Sequence, residues 1–174
     1  MDNKKYPIGQ FKYPKDLTHD LLSDWITTIA TFPKNLNMEV QNLTDKQLDS
    51  SYRKNGWTLR QIVHHCADSH MNAFCRMKLA LTENEPTIKP YFEDRWAQLK
   101  DYELPLDASL AILEGLHTRW EILLKSISNS DLSRKFVHPE GNRRISIVEA
   151  IGMYAWHCEH HLAHIMLSKK IGYE

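Results

Sequence analysis

The sequence offers no bulk electrostatic field, no membrane span and no disulfide framework. Among 174 residues, 22 Lys and Arg balance 22 Asp and Glu, so no net charge favours nucleic acid or an anionic membrane as a partner. No apolar run approaches the roughly 20 residues that crossing a bilayer requires. The opening Met1-Asp2-Asn3-Lys4-Lys5-Tyr6-Pro7 lacks the apolar stretch of a secretory leader. Cysteine is scarce and odd in number: Cys66, Cys75 and Cys158 fall inside helix-like segments and read as small buried core residues. Without a CxxC pair, a zinc ribbon or a thioredoxin-like site is unsupported, and a reduced, cytoplasmic protein is expected. There is no P-loop, no dinucleotide fingerprint, no Ser-His-Asp motif and no HExxH, since Glu159 follows Cys158 rather than a histidine.

What is present is helical periodicity. The length fits a single domain over residues 1–174 with a sizeable core. Residues 6–15 carry Pro7, Gly9 and Pro14 and read as a surface arm anchored by Tyr6, Ile8, Phe11 and Tyr13. From about Thr18, Leu21, Leu22, Trp25, Ile26 and Ile29 recur at helical spacing. Pro33 is expected to kink or break that helix before it resumes through Leu36 and Val40. Thr44 and Gln47 make a capping box for a short helix, and Thr58 caps a long one running to about Leu81. A loop with Pro86 and Pro90 follows, interrupted by a short helix over 93–99. Asp107 is expected to cap a third long helix lined by Leu110, Leu113, Leu116, His117, Trp120, Ile122, Leu123 and Ile127. Residues 132–145 read as a loop with a small hairpin turn at Glu140-Gly141-Asn142. Ser146 caps the fourth long helix, which Gly172 ends. The class expected is all-α: an antiparallel four-helix bundle with an N-terminal arm and short extra helices in the loops.

The fourth helix carries the chemistry. Trp156-His157-Cys158-Glu159-His160-His161-Leu162-Ala163-His164 holds four of the chain's ten histidines, and imidazoles four apart on a helix share a face. At about 100° per residue, His161 lies roughly 70° from the centre of the apolar arc, His157 roughly 110°, His164 roughly 130° and His160 roughly 170°. His157 and His161 are therefore the favoured metal-binding pair, and His160 and His164 are expected to face solvent. On the second long helix, His64 and His65 flank the apolar stripe at about 130° on either side, and His70 lies within it. Spacing alone leaves all three open as a further ligand.

Three long blocks resemble the YfiT-like branch of the DinB superfamily. They are Tyr6-Pro7-Ile8-Gly9; Gly56-Trp57-Thr58-Leu59-Arg60-Gln61-Ile62-Val63-His64-His65-Cys66-Ala67-Asp68-Ser69-His70-Met71-Asn72; and Tyr154-Ala155-Trp156-His157-Cys158-Glu159-His160-His161-Leu162-Ala163-His164-Ile165. The resemblance implies a four-helix bundle of unusual connectivity, one divalent metal per subunit, a homodimer and a cytoplasmic location. It places the metal ligands at His65, His157 and His161. Cys66 stands where leucine is commoner, with its side chain expected in the core.

Three neutral imidazoles would leave an ion's positive charge available to an exogenous ligand, lowering the pKa of bound water or thiol. The resemblance thus implies a metal-dependent enzyme, either a bacillithiol-type S-transferase acting on an electrophilic small molecule or a hydrolase activating water. A non-enzymatic metal-binding stress-response module is the third reading, and a thiol-dependent isomerase a fourth and weaker one. Zinc is the expected ion and nickel the second choice. Asp68, Glu159, His70 and His160 are candidates for supporting the ligands, and Trp57, Trp156 and Arg60 for shaping the pocket mouth. No residue is assigned as a general base.

Overall fold

The structure, a computed structural model, describes residues 4–173. Met1, Asp2 and Asn3, the head of the stretch read for a leader, lie outside the described residues, as does Glu174. Four long helices dominate: α1 (His19–Val40), α3 (Leu59–Thr82), α5 (Asp107–Ser126) and α6 (Ile147–Ile171). Between them lie the short α2 (Asp45–Leu48) and α4 (Glu93–Trp96) and an antiparallel hairpin of β1 (Lys135–His138) and β2 (Arg143–Ser146). No helix of the described residues is long and apolar enough to cross a membrane.

Helix boundaries follow local chemistry. Thr18, Thr44, Thr58 and Ser146 each accept a hydrogen bond from a first-turn N–H, an interaction worth about 1 kcal/mol per cap. Thr44 with Gln47 and Thr58 with Gln61 complete capping boxes. Gly172 ends α6 in the left-handed conformation at φ 82°, where any Cβ would be strained. Asp107 does not cap α5. It is the first helical residue, preceded by Leu106, which makes no side-chain cap; its charge favours the helix N-terminus by position instead.

Pro33 neither breaks nor ends α1, which runs on to Val40. The apolar face explains why: Ile26, Ile29, Phe32, Leu36 and Val40 are all buried on both sides of the proline. At about 1.5–3 kcal/mol for each large side chain buried, that face outweighs the roughly 3 kcal/mol an interior proline costs.

The core is continuous across α1, α3, α5 and α6. Two expected members are missing from it: Cys75 is exposed while Cys66 and Cys158 are buried, and Ile122 is 68% exposed. Residues 132–145 are more ordered than a loop. The hairpin is fastened to the end of α3 by Arg134, which donates to the Ala80 carbonyl at 2.7 Å and the Glu83 carbonyl at 2.9 Å, and Ile88 donates to the Val137 carbonyl. The arm is anchored as expected through Tyr6, Phe11 and Tyr13, which contact His160, Trp156 and Trp25; Ile8 stays exposed.

The pairing of α1 with α6 is close because Gly152 lets the Trp25 ring approach. A Cβ at Gly152 would stand 2.7–2.9 Å from three atoms of that ring. In a helix interior, Gly→Ala ordinarily stabilises by roughly 0.8–1 kcal/mol. Here Gly152→Ala is expected to destabilise by about 1–3 kcal/mol through overpacking, and adding Trp25→Leu should recover part of the loss. Denaturant titration of the single and double variants checks this; a stabilised Gly152→Ala would contradict the packing.

Candidate metal centre

α6 presents His157 and His161 one turn apart, and α3 brings His65 to meet them. One ring nitrogen from each of His65, His157 and His161 lies within 4.8 Å of the other two. The ring centroids stand 5.0 Å apart for His65 and His161 and 4.4 Å for His157 and His161. Nε2 of His65 lies 3.3 Å from Nε2 of His157. Two nitrogens each about 2.0–2.1 Å from a common tetrahedral ion stand about 3.3 Å apart, so the spacing suits a shared metal. The donor set fits as well, since imidazole nitrogens suit zinc and nickel. Nδ1 of His65 and Nδ1 of His161 are buried without a protein partner among the described residues.

Electrostatics keep these rings neutral. Burial pushes His65 down to about 4, with the neighbouring His160 adding to the effect. His157 and His161 lie well below the ordinary histidine range, through burial first and then the surrounding imidazoles. Metal binding at neutral pH therefore needs no proton to be displaced from a nitrogen. Trp57 covers the group, 4.5 Å from the His65 ring and stacked at 6.5 Å over His161.

The other sequence candidates separate cleanly. His64 is committed elsewhere: Ser109 Oγ lies 2.7 Å from its Nδ1, and its Nε2 donates to the Leu104 carbonyl at 3.1 Å. His70 sits directly behind His157, with its Nε2 3.0 Å from Nδ1 of that ring. His160 and His164 do not face solvent, being only 7% and 2% exposed. Trp156 stacks on His160 at 4.5 Å, Tyr52 stacks on His164 at 3.9 Å, and Nε2 of His164 donates to the Lys5 carbonyl. The apolar stripe of α6 alone carries no sign of this. The arm and the turn at Tyr52 cover the remaining face.

Arg60 does not reach the pocket mouth. Its guanidinium donates to Asp49 and Asp45, both at 2.7 Å, and fastens α2 to α3. Asp68 accepts from the Tyr102 hydroxyl at 2.6 Å, and Glu159 is exposed; neither lines the cleft that holds the three imidazoles. Trp156 does line it and also ties down the arm by donating to the Gly9 carbonyl.

That cleft has a volume of about 680 Å³. The hairpin forms one wall through Phe136, His138 and Ile145, and Lys5, Arg53, Arg76 and Arg143 set cationic groups against Glu93 and Glu140. Sequence reasoning missed this wall. The expected turn at Glu140-Gly141-Asn142 hints at a hairpin, but only the Arg134 clamp shows where its strands go.

Burial of neutral histidines makes the fold sensitive to acid. His117 is held at about 4 in the folded protein against 6.5 for an unperturbed histidine, with burial as the leading cause. The unfolded chain thus binds more protons, so its contribution is complete above pH 6.5 and is lost as pH falls toward 4. The slope for this one ring is about 1.4 kcal/mol per pH unit. Urea midpoints of metal-free protein should fall from pH 7 to pH 4.5. A flat profile would contradict neutral burial.

Residues 29–165 match the DinB superfamily. A protein of Oceanobacillus iheyensis named "Putative metal-dependent hydrolase" is 52% identical over 163 residues, covering 94% of both chains. One of the same name from Bacillus cereus is 50% identical over 171 residues, covering 98% of both. The solved structure of YfiT from Bacillus subtilis, described as "a probable metal-dependent hydrolase with an unusual four-helix bundle topology", superposes with a TM-score of 0.94 at 43% identity over 99% of each chain. A mycothiol-dependent maleylpyruvate isomerase shares the fold at a TM-score of 0.67 and 18% identity, over 86% of this chain and 63% of that one. With three histidines gathered in a helical bundle and these relatives over nearly its whole length, the chain belongs to the DinB superfamily.

Proposed function

We propose that His65, His157 and His161 hold one divalent metal ion, and that the protein uses it to transfer a low-molecular-weight thiol to an electrophilic small molecule. The observation that carries this reading is the convergence of three neutral imidazole nitrogens on an open cleft of about 680 Å³. A divalent ion there would supply the positive charge that lowers the pKa of a bound thiol or water toward neutrality. Zinc is the proposed ion, because it tolerates three nitrogens with an open fourth position, and nickel is the second choice.

The protein's own residues favour an exogenous thiol. Cys66 and Cys158 are buried, and burial pushes both thiols up, so neither serves as nucleophile. Cys75 is exposed but lies outside the cleft. The cleft is far larger than water needs, and Lys5, Arg53 and Arg76 line it beside Glu93 and Glu140, with Arg143 paired to Glu149 at 3.7 Å, a cationic excess that suits a thiol carrying acid groups. No carboxylate is hydrogen-bonded to the three imidazoles among the described residues, so the proposal assigns no general base. A homodimer and a cytoplasmic setting belong to the same proposal; the free cysteines agree with a reducing compartment. The second reading is a hydrolase that activates water at the same site, supported by the names of the relatives.

Zinc-loaded protein is expected to conjugate monochlorobimane when supplied with a low-molecular-weight thiol, and to fall to background on chelation or in His161→Ala. Fluorescence with and without each member of a thiol panel checks this. Equal turnover without thiol would sink the transferase reading, and metal-dependent, thiol-independent ester hydrolysis would establish the second one.

A further inference from the structure

Pro33, which leaves α1 intact, changes the chemistry of one carbonyl. In an uninterrupted helix the Ile29 carbonyl accepts the N–H of residue 33. Pro33 has no N–H. Nδ1 of His117, on α5, lies 2.6 Å from the Ile29 oxygen and takes up that acceptor. From there a line of imidazoles crosses the bundle. Nε2 of His117 is 2.8 Å from Nδ1 of His70 on α3, and Nε2 of His70 is 3.0 Å from Nδ1 of His157 on α6. The line touches all four long helices and ends on one of the three convergent histidines.

Its polarity is fixed from one end. A carbonyl oxygen only accepts, so His117 carries its proton on Nδ1. The Nε2 of neutral His117 is then a lone pair, and His70 must donate to it from Nδ1. The same step leaves Nε2 of His70 as an acceptor, so His157 donates from Nδ1. Nε2 of His157 keeps its lone pair, at the end of the ring facing His65. The three rings are neutral because Phe32, Trp120 and Tyr154 pack around His70, Phe32 and Trp120 also flank His117, and no carboxylate is hydrogen-bonded to any of them among the described residues. Burial pushes His70 well below its ordinary range, in line with this. Among the described residues Nδ1 of His65 and Nδ1 of His161 have no such partner, so His157 is there the one held donor of the three.

We propose that Pro33, His117 and His70 are positioning residues: they free and read the Ile29 carbonyl, and so hold His157 as the Nδ1–H tautomer with its Nε2 lone pair directed into the metal site. The metal itself rests on the reading given under Proposed function; the tautomer does not. A ring that donates its second nitrogen to a fixed acceptor is oriented and made more basic as a ligand. The relay gives His157 that support with imidazoles and a helix carbonyl where a carboxylate would ordinarily serve.

Nitrogen NMR of the histidines tests the relay in the full-length protein, metal-free and zinc-loaded. At pH 7 the relay predicts His117, His70 and His157 protonated at Nδ1 and bare at Nε2 in the metal-free protein, with His117 and His70 unchanged on loading. His157 protonated at Nε2, or present as an even mixture of tautomers, would overturn it. Zinc titration of variants is the second readout. His117→Leu is expected to weaken zinc by about 10–100-fold, and His117→Gln, whose amide donates to Ile29 and accepts from His70, to recover most of that loss. Wild-type zinc affinity in His117→Leu would overturn the proposal. Absence of zinc binding by the wild type, with His157 still protonated at Nδ1, would remove the metal reading and leave the tautomer relay standing.

Discussion

A neutral imidazole shut away from water has one N–H and one lone pair, and both must be met inside the protein. Eight of the chain's histidines lie in or beside the core under that constraint. The fold meets it fully for some of these rings and leaves Nδ1 of His65, His160, His161 and His164 without a partner among the described residues. His64 is closed off between a serine hydroxyl and a backbone carbonyl. His117 and His70 satisfy each other in a line that starts at a carbonyl freed by Pro33. His160 and His164 are roofed by aromatic rings from the arm and a turn. His65, His157 and His161 instead turn nitrogens toward one another. A cluster of lone pairs is unfavourable in isolation and favourable around a cation, which is the physical basis for reading the cluster as a metal site.

The scaffold serves this arrangement at several points. The capping box at Thr58 fixes the start of α3 two turns before His65. Gly152 lets α6 approach Trp25 of α1 one turn before His157. The hairpin, clamped to α3 by Arg134, walls a cleft in front of the imidazoles. α3 and α6, which carry the donors, pack into one continuous core, so the donors are placed before any ligand arrives, which limits the reorganisation that binding requires.

Much of this was legible in the sequence, for identifiable reasons. The long helices, their threonine and serine caps and the Gly172 stop depend on local periodicity and turn chemistry, which neighbours in sequence decide. The i,i+4 pair His157 and His161 is equally local. What failed was tertiary. His160 and His164 were expected outside because nothing in α6 announces that Lys5, Tyr6 and Tyr52 will cover them. Arg60 was expected at the pocket because the distant Asp45 and Asp49 give no periodic signal. His117 read as one more member of a stripe, and Pro33 as a helix breaker. Their roles appear only when α1 and α5 are brought together.

On the proposed reading, three neutral imidazoles from two helices share one metal and leave a position open. X-ray absorption at the metal edge of natively loaded protein measures this directly. Three imidazole nitrogens at about 2.0–2.1 Å with one further light atom are expected, and one imidazole fewer in His157→Ala. A sulfur from Cys66 or Cys158 in the coordination shell, or an unchanged imidazole count in that variant, would contradict it.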